Sequence, residues 1–487
     1  MGRYPTYGMF LRKGKGRGLH ISVGLSSGSR IDAGVAVAFI VILLSVIFPL
    51  DVQNSRAETE ALNPISDTAN RDVLNKQGRI EPSSGINFHY ENGLYLEYRY
   101  KNLVKLELGG RFLVDGGYIG ADQTLQNAFQ NTYPPLRGWN DVLRSARVNV
   151  VGTFYQAINA KVEVEFAQTR ELKDAWVGSA KKIPVIGYIK VGNMKEPFSL
   201  EELTSFDHIT FMERSLPTQA FSPNRNVGFL FNNSVLNERI TWAAGGFYNT
   251  GDLNNLYSGG DPQDKWNTAN GYSVAARVTG LPWYEEGGKR LLHLGLSYNF
   301  RARNMSKDGA EEKFGTRPES YLTDEKIVST GTVAANGTNL INGELAWVWG
   351  AFSLQGEYFH AFTNAEGSPR FWGYYVYGSL FLTGEHRKYD TVNGIFVNTK
   401  PRRSFNPSRG GWGAWEIVVR LSYLDLNDGN IKGGKELDFT AGLNWYLNPN
   451  IRLMFNYIRS HVEDRDTSPS VSNGYANTFQ ARLQFAF

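Results

Sequence analysis

Phe479-Gln-Ala-Arg-Leu-Gln-Phe-Ala-Phe487 alternates apolar and polar side chains down to an aromatic last residue. A period of two puts Phe479, Ala481, Leu483, Phe485 and Phe487 on one face of a strand and Gln480, Arg482 and Gln484 on the other. A soluble sandwich turns such an apolar row inward. A barrel in a membrane turns it toward lipid and keeps the polar row against water. Soluble chain ends usually fray, so an apolar strand running to Phe487 favours the barrel. The pattern recurs upstream. Ala146, Val148, Val150 and Phe154 oppose Arg147, Asn149 and Thr153, while Val162, Val164 and Phe166 oppose Lys161, Glu163 and Glu165. Trp415, Ile417, Val419, Leu421 and Tyr423 oppose Glu416, Arg420 and Ser422; Phe439, Ala441, Leu443 and Trp445 oppose Asp438, Thr440 and Asn444.

Two more features point to a membrane. Aromatics crowd the ends of the alternating runs (Tyr90, Tyr95, Tyr98, Tyr100, Trp415, Tyr423, Trp445, Tyr446 and Tyr457), as interfacial girdles require. Tight connections at Gln156–Asn159 and Asn448–Asn450 interleave with long polar ones, the rhythm of periplasmic turns and outer loops. The pattern predicts an all-β, transmembrane antiparallel β-barrel of sixteen strands, near 104–117, 143–154, 160–168, 172–178, 185–194, 225–233, 239–249, 271–280, 291–303, 340–349, 351–362, 370–382, 411–423, 436–446, 450–461 and 478–487. An even number puts both barrel ends on the periplasmic side. A hairpin-like stretch at 86–101 falls outside the sixteen.

The chain has 487 residues, 41% of them hydrophobic and 13% aromatic, which excludes a disordered protein. It has no cysteine, so disulfides, thiolate metal sites and thiol nucleophiles are excluded. Residues 1–57 hold seven basic and two acidic groups, which leaves 44 basic and 45 acidic residues in 58–487. The net charge of +4 therefore comes from the leader, and bulk charge gives no reason to expect a nucleic-acid partner. Within that leader, basic residues precede the apolar run Gly34–Leu50, and Ser55 and Ala57 stand two apart as small residues. This reads as a cleaved secretory signal over 1–57; the alternative is a membrane anchor. Residues 58–103 read as a periplasmic linker with a possible hairpin, and 104–487 as the barrel domain.

The family is carried by Val191-Gly-Asn-Met-Lys-Glu-Pro-Phe-Ser-Leu-Glu-Glu-Leu203 and Ile209-Thr-Phe-Met-Glu-Arg-Ser-Leu216, with Leu172-Lys-Asp-Ala-Trp176, Gly413-Ala-Trp-Glu416 and Gly442-Leu-Asn-Trp-Tyr446. In order and spacing these stretches resemble the phosphate-selective porin O and P family from about residue 104 to Phe487. The resemblance implies an outer-membrane homotrimer in lipid and lipopolysaccharide, an anion-selective pore, small anions led by phosphate as solutes, and no cofactor or metal. It also implies that 195–224, with its own apolar residues Phe198, Leu200, Phe206, Phe211 and Met212, is an inward-folded constriction loop.

An oxyanion in a narrow pore needs cations and hydrogen-bond donors in place of lost water, held loosely enough to release it. Alternation puts Arg147, Lys161 and Arg420 on the lumen face. Lys195 opens the loop, Ser199 offers a hydroxyl, and Arg214 and Arg225 lie near the loop's return. The resemblance assigns the basic eyelet to Arg144, Arg147, Lys161 and Lys195, and its lone carboxylate to Asp174. Where the family commonly has adjacent arginines this chain has Arg144-Ser145, and simple alternation puts Ser145, not Arg144, inward. That departure leaves open a general anion porin without a specific phosphate site. Each of these cations has a bland alternative, a lumen salt bridge to Glu163, Glu165, Asp174 or Glu202. The basic segment 384–410 reads equally as a lumen insertion and as a solvated loop.

Enzyme chemistry is not expected. HExxH and Walker-type motifs are absent from the sequence, and its one GxSxG match, Gly24–Gly28, falls inside the expected leader rather than in the barrel domain. His461-Val-Glu-Asp-Arg-Asp466 reads as a solvated outer loop. Glu163 and Glu165 share a face but have no nucleophile beside them. A barrel hydrolase would need a Ser/His pair at one rim, and an anchoring barrel would need more periplasmic mass than 58–85 provides.

Overall fold

The computed structural model describes the backbone of 85–90, 94–100 and 311, and, with side chains, residues 103–130, 134–167, 171–223, 225–248, 271–302 and 312–487. The expected leader 1–57 and the linker before residue 85 lie outside the described residues. Sixteen antiparallel strands close into a barrel. They are β1 Val104–Ala121, β2 Arg137–Phe154, β3 Ile158–Glu165, β4 Glu171–Ser179, β5 Tyr188–Lys195 and β6 Arg225–Val235. Then come β7 Ile240–Tyr248, β8 Tyr272–Glu285, β9 Arg290–Ala302, β10 Val333–Trp349 and β11 Phe352–Ala365. The last five are β12 Arg370–Phe381, β13 Ala414–Asp428, β14 Ile431–Tyr446, β15 Ile451–Arg465 and β16 Val471–Ala486.

Closure is made by the C-terminal strand. β16 pairs with β1 from Ala476↔Ala121 to Ala486↔Arg111, and Phe487 exchanges both backbone hydrogen bonds with Gly110 (2.8 and 2.9 Å). Below that point the same edge of β1 pairs with a hairpin formed by Gly85–Tyr90 and Leu94–Tyr100. The two barrel ends thus share one rim, the terminal rim; the opposite one is the loop rim.

All sixteen predicted strands are present, but several run longer toward the loop rim. β2 starts at Arg137 rather than 143, β10 at Val333 rather than 340, and β16 at Val471 rather than 478. There the outward positions are polar (Asn339, Asn473, Asn477), so the period of two loses its apolar beat while the hydrogen-bond ladder continues. For the same reason His461–Arg465, expected in a loop, are the last residues of β15.

The outward face is exposed and apolar: Val148, Val162, Val191, Phe229, Leu296, Leu345, Val376, Val419, Phe439, Phe455, Phe479 and Leu483 stand on it. The stacked pair Trp415–Trp445 (4.7 Å) and the cluster of Trp347, Trp349 and Phe352 mark the terminal rim. Trp372, Tyr374 and Tyr423 mark the loop rim. Tyr446, read as a girdle residue, instead turns inward and donates its hydroxyl to Glu416 (2.9 Å).

The inward face is polar, yet much of it is dry. Phe198, Phe211, Leu216 and Phe221 of segment 196–223 pack with Phe314, Ile327 and Val328 of segment 311–332 against Phe359, Phe371, Tyr375, Val418 and Leu424 of the wall. The barrel therefore encloses a hydrophobic core of its own, which the simple reading of inward as wet does not anticipate.

Candidate functional site

Among the described residues, three connections occupy the barrel interior. Segment 196–223 is fastened by backbone donors. The N–H groups of Leu200 and Glu201 donate to the Glu357 carboxylate (3.0 and 2.8 Å), Met212 N–H to Asn456 Oδ1 (3.1 Å) and Leu216 N–H to Ser422 Oγ (3.0 Å). Arg452 donates to the Ile209 carbonyl (2.9 Å). In segment 311–332, Glu319 accepts from Thr440 (2.7 Å) and Arg420 (3.1 Å), and Ser320 donates to Gln480 (2.8 Å). The third segment lies between β12 and β13. Arg387 donates to Gln355 (3.0 Å), the Tyr389 hydroxyl meets His293 Nδ1 (2.6 Å), and Arg277 donates to the Gly394 carbonyl (2.9 Å). Of the two readings left open for 384–410, its first part follows the lumen insertion.

All three segments pack over the inward face of β9–β16. What remains is a cavity of about 700 Å³, bounded on the wall side by β1–β8 alone and on the other by the inserted segments. Twelve of its lining residues are cationic: Arg111, Arg144, Arg147, Lys161, Lys173, Lys190, Lys195, Arg214, Arg225, Arg277, Arg317 and Lys326. Four are carboxylates: Glu163, Asp174, Glu202 and Glu213.

Two bulges enrich this lining. On β2 the pairing with β1 steps from Ser145 to Leu143 and skips Arg144. On β4 the pairing with β3 steps from Asp174 to Leu172 and skips Lys173. A bulge gives one strand an extra residue and re-aims its side chains. Arg144 and Ser145 consequently both face inward, as do Lys173 and Asp174. Arg144 therefore faces inward where simple alternation puts it outward, because the bulge absorbs the one-residue offset that would have turned it to lipid.

The cations are held in pairs. Arg144 grips Glu213 with two bonds (2.7 and 2.9 Å) and lies over the Tyr321 ring (3.6 Å). Arg147 bridges Glu163 (2.7 Å) and Glu165 (2.6 Å). Lys161 bridges Glu163 (2.9 Å) and Asp174 (2.7 Å), and Arg225 completes the cluster on Asp174 (2.7 Å). Lys195 and Arg214 share Glu202 (3.2 and 3.1 Å). Lys190 and Lys326 make no ion pair among the described residues; Lys190 lies 4.9 Å from the Trp176 ring centroid. Burial would raise the Glu202 carboxyl, but Arg214 and Lys195 outweigh it and hold the group below its ordinary value. Glu213 is held down likewise by Arg144 and Arg482 against its own burial. Burial, then Arg317 and Lys313, push the Lys326 ammonium below its usual range, since like charges and desolvation both disfavour it.

Of the residues singled out in the sequence, Arg144, Arg147, Lys161, Asp174, Lys195 and Arg214 come together on this cavity. Ser199 and Arg420 stand apart from it. Ser199 is fully buried, caps the short helix Leu200–Leu203 and accepts from Glu202 N–H (3.2 Å). Arg420 is sealed under Phe211 (4.2 Å) and pairs with Glu319 and Glu201. On segment 311–332 sequence reasoning missed Arg317 and Lys326, and on the strands it missed Arg111, Lys173, Lys190 and Arg277. Three of these strand residues sit at inward positions that a strict alternation count would have found, and Lys173 needs the bulge.

Residues 113–487 match the family described as phosphate-selective porin O and P. An uncharacterized protein of Caulobacter vibrioides is 28% identical over 351 residues, 72% of this chain and 67% of that protein. Among solved structures, the anion-selective porin from Comamonas acidovorans is similar at 12% identity, with 79% of this chain and all of that chain covered and a TM-score of 0.48. The outer membrane channel DcaP of Acinetobacter baumannii is similar at 11% identity, covering 80% of this chain and 99% of that one, also at 0.48.

Proposed function

This chain belongs to the phosphate-selective porin O and P family, and from that premise we propose that its cavity is an anion-preferring, water-filled diffusion passage with phosphate as the leading solute. The protein is a bacterial outer-membrane porin, and members of its family are channels rather than catalysts. The observation that carries the proposal is the lining: twelve cations against four carboxylates.

Several acidic partners, including Glu165 and Glu344, pair with lining cations without themselves facing the cavity. A permeating ion therefore meets guanidinium and ammonium groups first. Their charge is high enough to concentrate anions in a confined path. It is also partly satisfied already, so binding stays weak enough for release. Lys326, between β9 and β10 on the loop-rim side, and Lys190, three residues into β5 from the terminal rim, make no ion pair among the described residues. They suit the two ends of such a path.

A general anion passage without a phosphate site is the second reading. It is favoured by one observation: the forks of Arg144 and Arg147 are already engaged by carboxylates. Family resemblance supports a homotrimer in outer-membrane lipid and lipopolysaccharide. The test is recording from the purified protein in a planar bilayer under a KCl gradient, followed by titration with inorganic phosphate. Anion-signed reversal with block at low phosphate supports the first reading. Anion-signed reversal without block supports the second. Cation-signed reversal refutes both.

A further inference from the structure

The cavity lining is not uniform in chemistry. Where β4–β7 meet, its wall carries Trp176, Met194, Leu230 and Ala243, with Lys190 beside them. Met194 and Leu230 pack with Phe247 and Ala275 into a buried cluster, and Trp176 and Ala243 form the partly exposed edge of that cluster. Val392 and Ile395 of the segment inserted between β12 and β13 line the same cavity.

A small inorganic oxyanion gains nothing from such a surface, because it is recognised by charge and hydrogen bonds. Apolar area left facing water costs about 25 cal/mol per Å², which a solute with an apolar body recovers by covering it. The charged half of the requirement is met in the same place. The Lys190 ammonium lies 4.9 Å from the Trp176 ring centroid and makes no ion pair among the described residues. A cation next to an indole face suits a solute that joins an anionic group to a flat apolar ring. The volume agrees, since about 700 Å³ is the range of pockets that enclose whole organic molecules.

We propose that Trp176 and Lys190 form a subsite for organic anions, carboxylates or phosphate monoesters that carry an aromatic or short aliphatic body. This rests on the reading of the cavity as an anion passage. Trp176 would set preference among anions, and the arginine-rich remainder of the lining would set preference for anions over cations.

The test is block of the chloride current through the full-length protein in a planar bilayer, comparing inorganic phosphate with phenyl phosphate. The two probes share the anionic group and differ in the body. Phenyl phosphate is expected to block at a concentration lower by up to about tenfold, the scale of one aromatic contact. Trp176→Ala should bring the two probes within about twofold of each other and leave the chloride reversal potential unchanged, while Trp176→Phe keeps most of the difference. Equal block by both probes in the unaltered protein, with anion-signed reversal, overturns the subsite and leaves the anion passage standing. A difference that survives Trp176→Ala overturns the role of Trp176. Cation-signed reversal overturns the passage and the subsite together. The comparison of probes on the unaltered protein decides the matter even if Trp176→Ala does not assemble.

Discussion

The inner wall of this barrel has two halves with opposite fates. β1–β8 present Arg144, Arg147, Lys161 and Lys190, each partly exposed, to an open cavity. β9–β16 carry an equally polar row (Asn342, Glu357, Glu416, Arg420, Asn444, Asn456 and Arg482) that is nowhere more than 5% exposed. The difference lies in what stands in front of each row. On the second half, backbone donors and carboxylates of the inserted segments meet the wall side chains at hydrogen-bond distance, and phenyl rings fill the gaps. Polar groups sealed this way must be satisfied, so they act as anchors. On the first half Arg147, Lys161 and Arg225 pair laterally along the wall, Arg144 reaches Glu213 of an inserted segment, and all four still line the cavity. Identical chemistry thus becomes scaffold or passage according to whether a loop covers it.

The largest effect is expected on the scaffold side. Arg420→Met would leave Glu319 and Glu201, on two different inserted segments, without their shared cation. Removing one partner of a buried pair costs about 3–5 kcal/mol. The expected outcome is a lower unfolding temperature and larger, noisier single-channel currents with the ion preference kept; unchanged melting and conductance would show that the sealed half needs no such anchor. On the passage side, Arg147→Gln combined with Lys161→Gln leaves Glu163 and Asp174 with the Arg225 ion pair and takes away the ion pair of Glu165 with Arg147. Reversal potentials should then move toward cation preference, and a variant as anion-selective as the parent would remove these residues from the account. Smaller still is the effect of Lys326→Gln or Lys190→Gln. Each deletes one cation that has no ion pair among the described residues, so the permeability ratio should fall by roughly fivefold or less, as for one unit charge near water, with no change in melting.

The smallest effect is that of pH. Glu202 and Glu213 are held below their ordinary values, so their contribution to packing is fully present above the unfolded carboxyl value and disappears only as pH falls through the lower, folded one. Conductance measured from pH 7 down to about pH 5 should be flat, with loosening confined to stronger acid. A step near pH 6 would point to a different group.

Much of this was legible in the sequence because period two is written at every membrane-facing position. Val148, Val162, Val419, Phe439 and Phe479 each mark a strand and its lipid side. The loop motif at Lys195–Leu203 marked the segment that enters the lumen. Less legible were features without a periodic signal. A bulge shifts the register by one residue through backbone pairing alone, so neither Arg144 nor Lys173 could be aimed by counting. Burial of an inward residue depends on what covers it, and that is a tertiary fact. Arg420 and Arg147 look alike on their strands, yet one is locked under Phe211 and the other lines the cavity. Segment 311–332, with Phe314, Ile327 and Val328 spread over an otherwise polar stretch, gave no local sign of its inward packing.

The absence of cysteine from the chain makes the central claim directly measurable. Single thiols can be introduced at Lys161 on the open half and at Ser422 on the sealed half, and the rate at which a small anionic thiol reagent alters the bilayer current can be compared. Rapid modification and a changed current are expected for Lys161→Cys, and no response for Ser422→Cys. Equal rates at the two positions, or faster reaction at Ser422→Cys, would contradict a passage confined to β1–β8.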